Sequence, residues 1–152
     1  MGAARMDKAG LNERQSLTLT RFYPVAPEKV WRAWIDADAL RMWFGQNDSP
    51  GWAAELDLRV GGRYRFVMRH PGGEYYDARG VYREVVAHRR LVFTWSWQKD
   101  GAAAEAVITV LLNPVAGGTE LVFTLDPVVD PRERDAWRSD FKRLGQLLQE
   151  SK

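Results

Sequence analysis

The sequence ends in one long amphipathic helix that follows a series of strands. Trp137, Phe141, Leu144 and Leu148 are spaced by four, three and four residues, which places them on one face of a helix. Before this helix the chain has about six strand-like runs, joined by short glycine-rich turns such as "PGG" and "AGG". A twisted antiparallel sheet needs a cover for its apolar face. Since no other long amphipathic element is present, the sheet is predicted to curve around this helix.

The strands are predicted from the alternation of apolar and polar residues, which is the pattern of a half-buried strand. Gly80 lies inside the longest of them and fits a point where the sheet bends. The predicted strands are Ser16–Tyr23, a short strand within 52–62, Arg63–His70, Tyr76–Val86, Leu91–Trp97, Glu105–Asn113 and Thr119–Asp126.

Two short helices are predicted after the first strand. Pro27 suits the first turn of a helix, because its missing N–H would be unpaired there. A second short helix carries Trp43 and ends at Gly45. Asp130 is a good N-cap for the last helix and Pro131 a good first residue. The predicted class is therefore α+β, with a curved antiparallel sheet of 6–7 strands around a long C-terminal helix.

Length and composition exclude several classes of protein. The 152 residues suit one domain, predicted over residues 16–152 after a disordered tail at 1–15. The net charge of +2 comes without a basic block, so nucleic acid is not an expected partner. No run approaches the ~18 apolar residues of a membrane helix, and the first fifteen residues lack the apolar segment of a signal peptide. A cytoplasmic protein without membrane contact is predicted.

Aromatic residues are abundant, with seven Trp, six Phe and five Tyr. Such side chains either fill a core or line a pocket. A curved sheet and one helix leave more room than the ~10 Å that two flat layers close, so large side chains or a ligand must fill the space. The side chains predicted to face this space are Trp31, Trp34, Trp43, Tyr64, Phe66, Met68, Tyr82, Glu84, Phe93, Trp95, Val110, Phe123, Trp137 and Phe141.

Two charged residues are candidates for a polar contact in that space. Glu84 lies two residues after Tyr82 and shares its face in a regular strand. A buried carboxylate is paired or has a raised pKa, so Glu84 either orients a ligand, acts as a base, or forms an ion pair with an arginine such as Arg21. Arg21 shares a face with two leucines of the first strand, and it either anchors a ligand carboxylate or neutralises a buried acid.

The sequence has no recognisable catalytic or metal-binding pattern. His70 and His88, the two histidines, fall at a strand end and in a turn, where exposure is expected and no metal site forms. Cysteine is absent, and so is a Gly-x-Ser-x-Gly nucleophile motif. The glycine pair in "VGGRY" joins strands and precedes no helix, so it is not a phosphate loop. No catalytic residue, metal or cofactor is predicted.

Several segments together resemble the heat-shock-protein-90 ATPase activator homologue family of the SRPBCC (START/Bet v 1-like) superfamily. They are "APEKVWRAWIDADALRMWFG", "VGGRYRFVM", "GVYREVVAHRRLVFTWSW" and "GGTELVFTL", followed by the closing helix. The resemblance covers about Ser16 to Gln149. It implies a helix-grip fold, in which a curved antiparallel sheet grips the C-terminal helix with a cavity between them.

This fold serves many functions, so the resemblance leaves several open. The leading prediction is binding of a small hydrophobic or amphipathic molecule between sheet and helix. A co-chaperone-like interaction, and an enzyme acting on a cyclic or polyketide-like substrate, are the alternatives. Four valines are also predicted to be exposed on the outer sheet face: Val67, Val81, Val92 and Val122. They either support a homodimer or are scattered apolar residues without a function, which are normal on protein surfaces.

Overall fold

The computed structural model describes residues 15–45, 52–69, 75–97, 105–128 and 131–150. Within them, seven strands form one antiparallel sheet in the order β1-β7-β6-β5-β4-β3-β2. The first strand therefore pairs with the last, and β2 forms the opposite edge. The strands are β1 Leu17–Tyr23, β2 Ala53–Leu56, β3 Arg63–Arg69, β4 Tyr75–Val86, β5 Arg90–Trp97, β6 Glu105–Val115 and β7 Gly118–Asp126.

The three helices of the described ranges are α1 Pro27–Ile35, α2 Ala37–Trp43 and α3 Glu133–Glu150. Pro27 opens α1 as predicted. Asp36 separates the first two helices and caps α2, since its carboxylate accepts two backbone N–H groups of the first turn. Helix α3 begins two residues later than predicted, at Glu133. The predicted N-cap, Asp130, lies outside the described residues.

The predicted helix-grip fold is confirmed, because the sheet curves around α3 while α1 and α2 follow the first strand. Trp137, Phe141, Leu144 and Leu148 are buried along α3, as their spacing predicted. The strands contribute their inner side chains to the same core, and along β7 buried residues alternate with half-buried ones. Burial of this apolar surface is the main driving force for the fold.

The ladder of hydrogen bonds between β4 and β5 is interrupted at Gly80 and Val81. Within the described part of these strands, Arg79 pairs with Ser96, and pairing resumes only at Tyr82. In the interval, the Val81 N–H donates to Thr94 Oγ1 at 2.8 Å, and the Tyr64 hydroxyl donates to the Thr94 carbonyl oxygen. Two side chains thus replace main-chain bonds at the position where the sequence suggested a bend.

Gly80→Ala is expected to lower the free energy of unfolding by about 1–3 kcal/mol, the usual cost of overpacking. A Cβ at this position would collide with the Thr94 carbonyl oxygen and would lie 2.6 Å from the Tyr64 hydroxyl. The carbonyl belongs to the backbone and cannot move aside as a side chain would. Urea denaturation measures the loss. The double variant with Tyr64→Phe should recover little of it, and full recovery would contradict a backbone collision.

Glu84 does not face the inside of the sheet, so that prediction is wrong. A β-bulge between Tyr82 and Glu84 shifts the register of β4 and turns the later part of the strand over. The Glu84 side chain is 48% exposed and binds Arg90 at 2.8 Å. The suggested partner, Arg21, instead donates to the carbonyl of Thr20.

The outer face of the sheet is less exposed than the sequence suggested. Val92 was predicted to be exposed and is only 6% exposed. Val67, Val81 and Val122 are half-buried. Long polar side chains on neighbouring strands can cover such valines with their apolar stems. The apolar patch expected to support a homodimer is therefore small.

Candidate ligand cavity

A small cavity lies where the three helices meet the inner face of the sheet. We call it the inner cavity, and its volume is about 20 Å³. Helices α1 and α3 each supply one tryptophan, α2 and the residue that follows it supply three residues, and strands β3 to β5 supply the rest. The lining consists of Trp34, Leu40, Trp43, Phe44, Tyr64, Phe66, Tyr82, Leu91, Phe93, Trp95 and Trp137.

Contacts between aromatic rings explain the small volume. The Trp137 ring centroid lies 4.6 Å from that of Phe123 and 5.5 Å from that of Trp95. Phe44 enters from the end of α2, with its centroid 5.4 Å from Phe66 and 5.7 Å from Trp95. These separations are typical of favourable tilted and edge-to-face pairs. Aromatic side chains therefore fill most of the space that the curvature of the sheet creates.

The remaining volume matches one water molecule, which needs about 10–15 Å³ of such space. A larger molecule enters only if some of the rings change position. The aromatic residues thus form a packed core with a small void, and the wide cavity that the sequence suggested is largely closed.

The indole N–H of Trp34, a residue of the lining, has no partner among the described residues. The Nε1–H of Trp34 is buried and makes no hydrogen bond within the part of the chain that the structure describes. The neighbouring Trp43 differs, because its Nε1–H donates to the carbonyl of Ala33 at 2.9 Å. A buried donor without an acceptor is costly. Trp34, which lines the inner cavity, therefore has a buried N–H group that no described residue uses.

The tyrosines of the lining are fixed as neutral phenols. Burial raises the pKa of Tyr64 and of Tyr82 above the ordinary range. The Tyr64 hydroxyl is already committed to the Thr94 carbonyl oxygen. Neither group is suited to act as a base near neutral pH, and both supply mainly apolar surface to the inner cavity.

A buried carboxylate on α3 holds the end of α2 close to the inner cavity. Asp140 accepts the N–H of Gly45 at 3.3 Å and also contacts the guanidinium of Arg143. Arg143 in turn donates from Nε to the carbonyl of Trp43 at 3.1 Å. Burial raises the pKa of Asp140 to about 7, although Arg143 and the Gly45 N–H act in the opposite direction. These contacts tie α3 to the last residues of α2.

The structure brings eight of the fourteen predicted residues into the lining. Five of the others are buried elsewhere in the core, and the sixth is the exposed Glu84. Those five are Trp31, Met68, Val110, Phe123 and Phe141.

Four residues at or near the inner cavity were not among the predicted ones. Leu91 is an inner residue of β5, where the period of two places it, although it was not among the fourteen candidates. Leu40 and Phe44 lie in and just after α2, where a helix of two turns gives little periodicity to read. Asp140 lies three residues after Trp137, so its position beside the apolar stripe of α3 was the available signal.

No metal site is evident among the described residues, since they include no group of three or more metal-ligating side chains. His88 is exposed in the turn between β4 and β5, as predicted, and its ring lies 6.2 Å from that of Trp31. His70 lies outside the described residues. Among the described helices, none combines the length and apolar composition needed to cross a membrane.

Comparison with known proteins identifies clear relatives. The sequence model of the family described as "Activator of Hsp90 ATPase homolog 1-like protein" matches residues 24–149. No curated protein matches the sequence.

Solved structures share the fold over almost the whole chain. A protein from Chromobacterium violaceum is 27% identical with a TM-score of 0.75, covering 88% of this chain and 96% of its own. The AHSA1 protein from Silicibacter pomeroyi is 25% identical with a TM-score of 0.74, covering 90% of this chain and 99% of its own. A protein from Rhizobium leguminosarum is 24% identical with a TM-score of 0.78, covering 91% of this chain and 96% of its own. At this identity the comparison shows a shared fold only.

Proposed function

Since this chain belongs to the Activator of Hsp90 ATPase homolog 1-like family of the SRPBCC superfamily, we propose that it binds a small ligand inside the helix-grip fold. The ligand is a largely apolar molecule that carries one hydrogen-bond acceptor. Its site is the inner cavity, between the curved sheet and α3.

The observation that carries this proposal is the unused N–H of Trp34 in a mostly apolar lining. Ligand sites are mostly apolar, with a few polar groups that fix the orientation of the ligand. An acceptor on the ligand would satisfy the Trp34 donor and remove the cost of leaving it unpaired. The rest of the ligand would pack against rings such as those of Phe44, Trp95 and Trp137.

Binding requires the inner cavity to expand from about 20 Å³. Phe44 is the lining residue best placed to move, because it follows the last residue of α2 and inserts between Phe66, Trp95 and Trp137. Apolar burial contributes about 25 cal/mol per Å², from which the cost of displacing the rings is subtracted. Moderate affinity is therefore expected, and the ligand is small and flat.

Quinoline and naphthalene test the proposal, because they have the same shape and only quinoline has an acceptor nitrogen. Quinoline is expected to bind about 2- to 10-fold more tightly, which corresponds to one ordinary hydrogen bond. Equilibrium dialysis at pH 8, with chromatographic detection of the free compound, gives both dissociation constants.

Trp34→Phe should remove the preference for quinoline while retaining binding of naphthalene. Trp31→Phe is the matched control, because Trp31 is also buried on α1 but does not line the inner cavity. Failure of both compounds to bind the unaltered protein would end the proposal. So would a preference for quinoline that survives in Trp34→Phe.

A co-chaperone-like protein interaction is the second candidate function. The family description and the tight packing of the rings, which leaves so little free volume, both favour it. The test is a pull-down with Hsp90 together with its ATPase rate in the presence of this chain. A raised ATPase rate without binding of either test compound would make this candidate the better one.

A further inference from the structure

A second and much larger hollow lies on the outer face of the sheet. We call it the outer groove, and its volume is about 500 Å³, within the usual range for small-molecule sites. Of the residues that line the inner cavity, only Tyr64 also lines the outer groove. The lining consists of Glu55, Arg63, Tyr64, Arg65, Arg79, Gly80, Val81, Thr94, Ser96 and Glu105.

The floor of the outer groove contains buried hydroxyl groups. Thr94 and Ser96 face outward on β5, yet they are only 5% and 8% exposed. The interruption of the β4–β5 ladder lies beside them. Thr94 Oγ1 accepts the Val81 N–H at 2.8 Å, and within the described residues its own proton has no acceptor. A hydroxyl that accepts one hydrogen bond still has its own hydrogen, which it can donate to a ligand.

Three arginines surround this floor. Arg65 and Arg79 occupy directly opposite positions on β3 and β4, an arrangement of like charges that is unfavourable by itself. Asp77 binds both guanidinium groups at 2.8 Å, which fixes their positions. Each guanidinium has five N–H donors and gives Asp77 only two of its nitrogens, so both retain donors for a further anion.

Arg63 is the third arginine, and it differs from the other two. It lies two residues before Arg65 on the same face of β3, opposite Val81. Within the described residues it makes neither a hydrogen bond from its side chain nor an ion pair. Its charge is therefore uncompensated at close range, beside the apolar side chain of Val81.

Two carboxylates at the ends of the outer groove limit the size of an anion. Glu55 is in register with Arg65, and Glu105 is in register with Ser96. The row across the sheet thus has negative charge at both ends and positive charge in the middle. With neighbouring strands ~4.8 Å apart, this row spans about 19 Å. A polyanion lying across it would meet both carboxylates, whereas a single compact anion meets only the arginines.

We propose that the outer groove binds the oxyanion group of a small molecule, held by Arg63, Arg65 and Arg79 with the Thr94 hydroxyl beneath it. A carboxylate and a phosphate monoester have the shared chemistry that this arrangement recognises. An apolar group on the same molecule packs over Val81. The site is independent of the proposed ligand in the inner cavity, so either can be wrong without the other.

Benzoate and phenyl phosphate, titrated calorimetrically at low ionic strength, separate the two sources of oxyanion. Binding of either compound supports the proposal. The compound that binds more tightly shows whether the site prefers a carboxylate or a phosphate monoester. Arg63→Gln is expected to weaken binding about 10- to 100-fold, the value of one charge-assisted hydrogen bond. Because Arg63 is exposed, this variant should fold normally, and circular dichroism checks that it does.

Arg90→Gln is the matched control. Arg90 is also an outer-face arginine, but it pairs with Glu84 and does not line the outer groove. It should leave the affinity unchanged, and Trp34→Phe should do the same. The proposal is overturned if neither compound binds at millimolar concentration. It is equally overturned if Arg63→Gln and Arg90→Gln weaken binding by the same factor, since that would indicate nonspecific attraction.

Discussion

Trp137→Ala is expected to lower the free energy of unfolding by about 3–5 kcal/mol, the upper range for loss of a buried aromatic side chain. Trp137 is 4% exposed, and its ring packs against Phe44, Trp95, Phe123 and Phe141 with centroids 4.6–5.8 Å apart. These partners are themselves held by other rings, so they cannot collapse fully into the vacated space. Guanidinium chloride denaturation gives the loss.

The same variant should gain a binding property. Removing the indole adds the space that it occupied to the inner cavity. An enlarged cavity with an apolar lining stays free of water and binds benzene. Benzene should therefore raise the melting temperature of Trp137→Ala by more than that of the unaltered protein, whose inner cavity must first expand. A loss below about 1 kcal/mol, with no response to benzene, would show that the rings rearrange to fill the space.

Asp140 should make the protein less stable as the pH rises from about 4 to about 7. In the unfolded chain its carboxyl has the ordinary pKa of 3.8, whereas burial raises the pKa to about 7 in the folded protein. Between these values the folded state holds a proton that the unfolded state has released, so stability falls as the pH rises. The difference in proton affinity corresponds to about 4 kcal/mol over this range.

Asp140→Asn isolates this effect, because asparagine does not titrate. Relative to the unaltered protein, the variant should gain stability steadily between pH 4 and pH 7, and the difference should become constant above that range. Asp77→Asn provides the contrast: the pKa of Asp77 is lowered to about 2 by its hydrogen bonds from Arg79 and Arg65. The ionised Asp77 carboxylate contributes fully to the stability of the folded protein above about pH 4, and this contribution disappears as the pH falls toward about 2. A pH-independent difference for Asp140→Asn would contradict the raised pKa.

The order of elements could be predicted from the sequence because each depends on local periodicity. The stripe on α3 and the alternation along β7 are both visible in the printed residues, and both were found as predicted. Periodicity fails where a strand is irregular. The bulge after Tyr82 shifts the register by one residue, and that shift exposes Glu84.

The volume of the inner cavity could not be predicted from residue types. Curvature of the sheet sets the total space, while the rotamers of Phe44, Trp95 and Trp137 decide how much of it remains. Phe44 was missed because it follows the end of a short helix, where neither helical nor strand spacing applies. The outer groove was missed for a related reason: it depends on register between five strands, which the pattern within a single strand does not reveal.

The interrupted ladder at Gly80 also has a mechanical consequence. It joins a four-stranded part of the sheet, β1 with β7, β6 and β5, to a three-stranded part, β4 with β3 and β2. At this seam the two parts are connected by the Tyr64 phenol and the Thr94 hydroxyl rather than by main-chain rungs. A change in the twist of one part relative to the other therefore strains fewer backbone bonds at Gly80 and Val81 than at the paired residues on either side of them. The interruption thus gives the two parts a point of local freedom between the paired residues Arg79 and Tyr82.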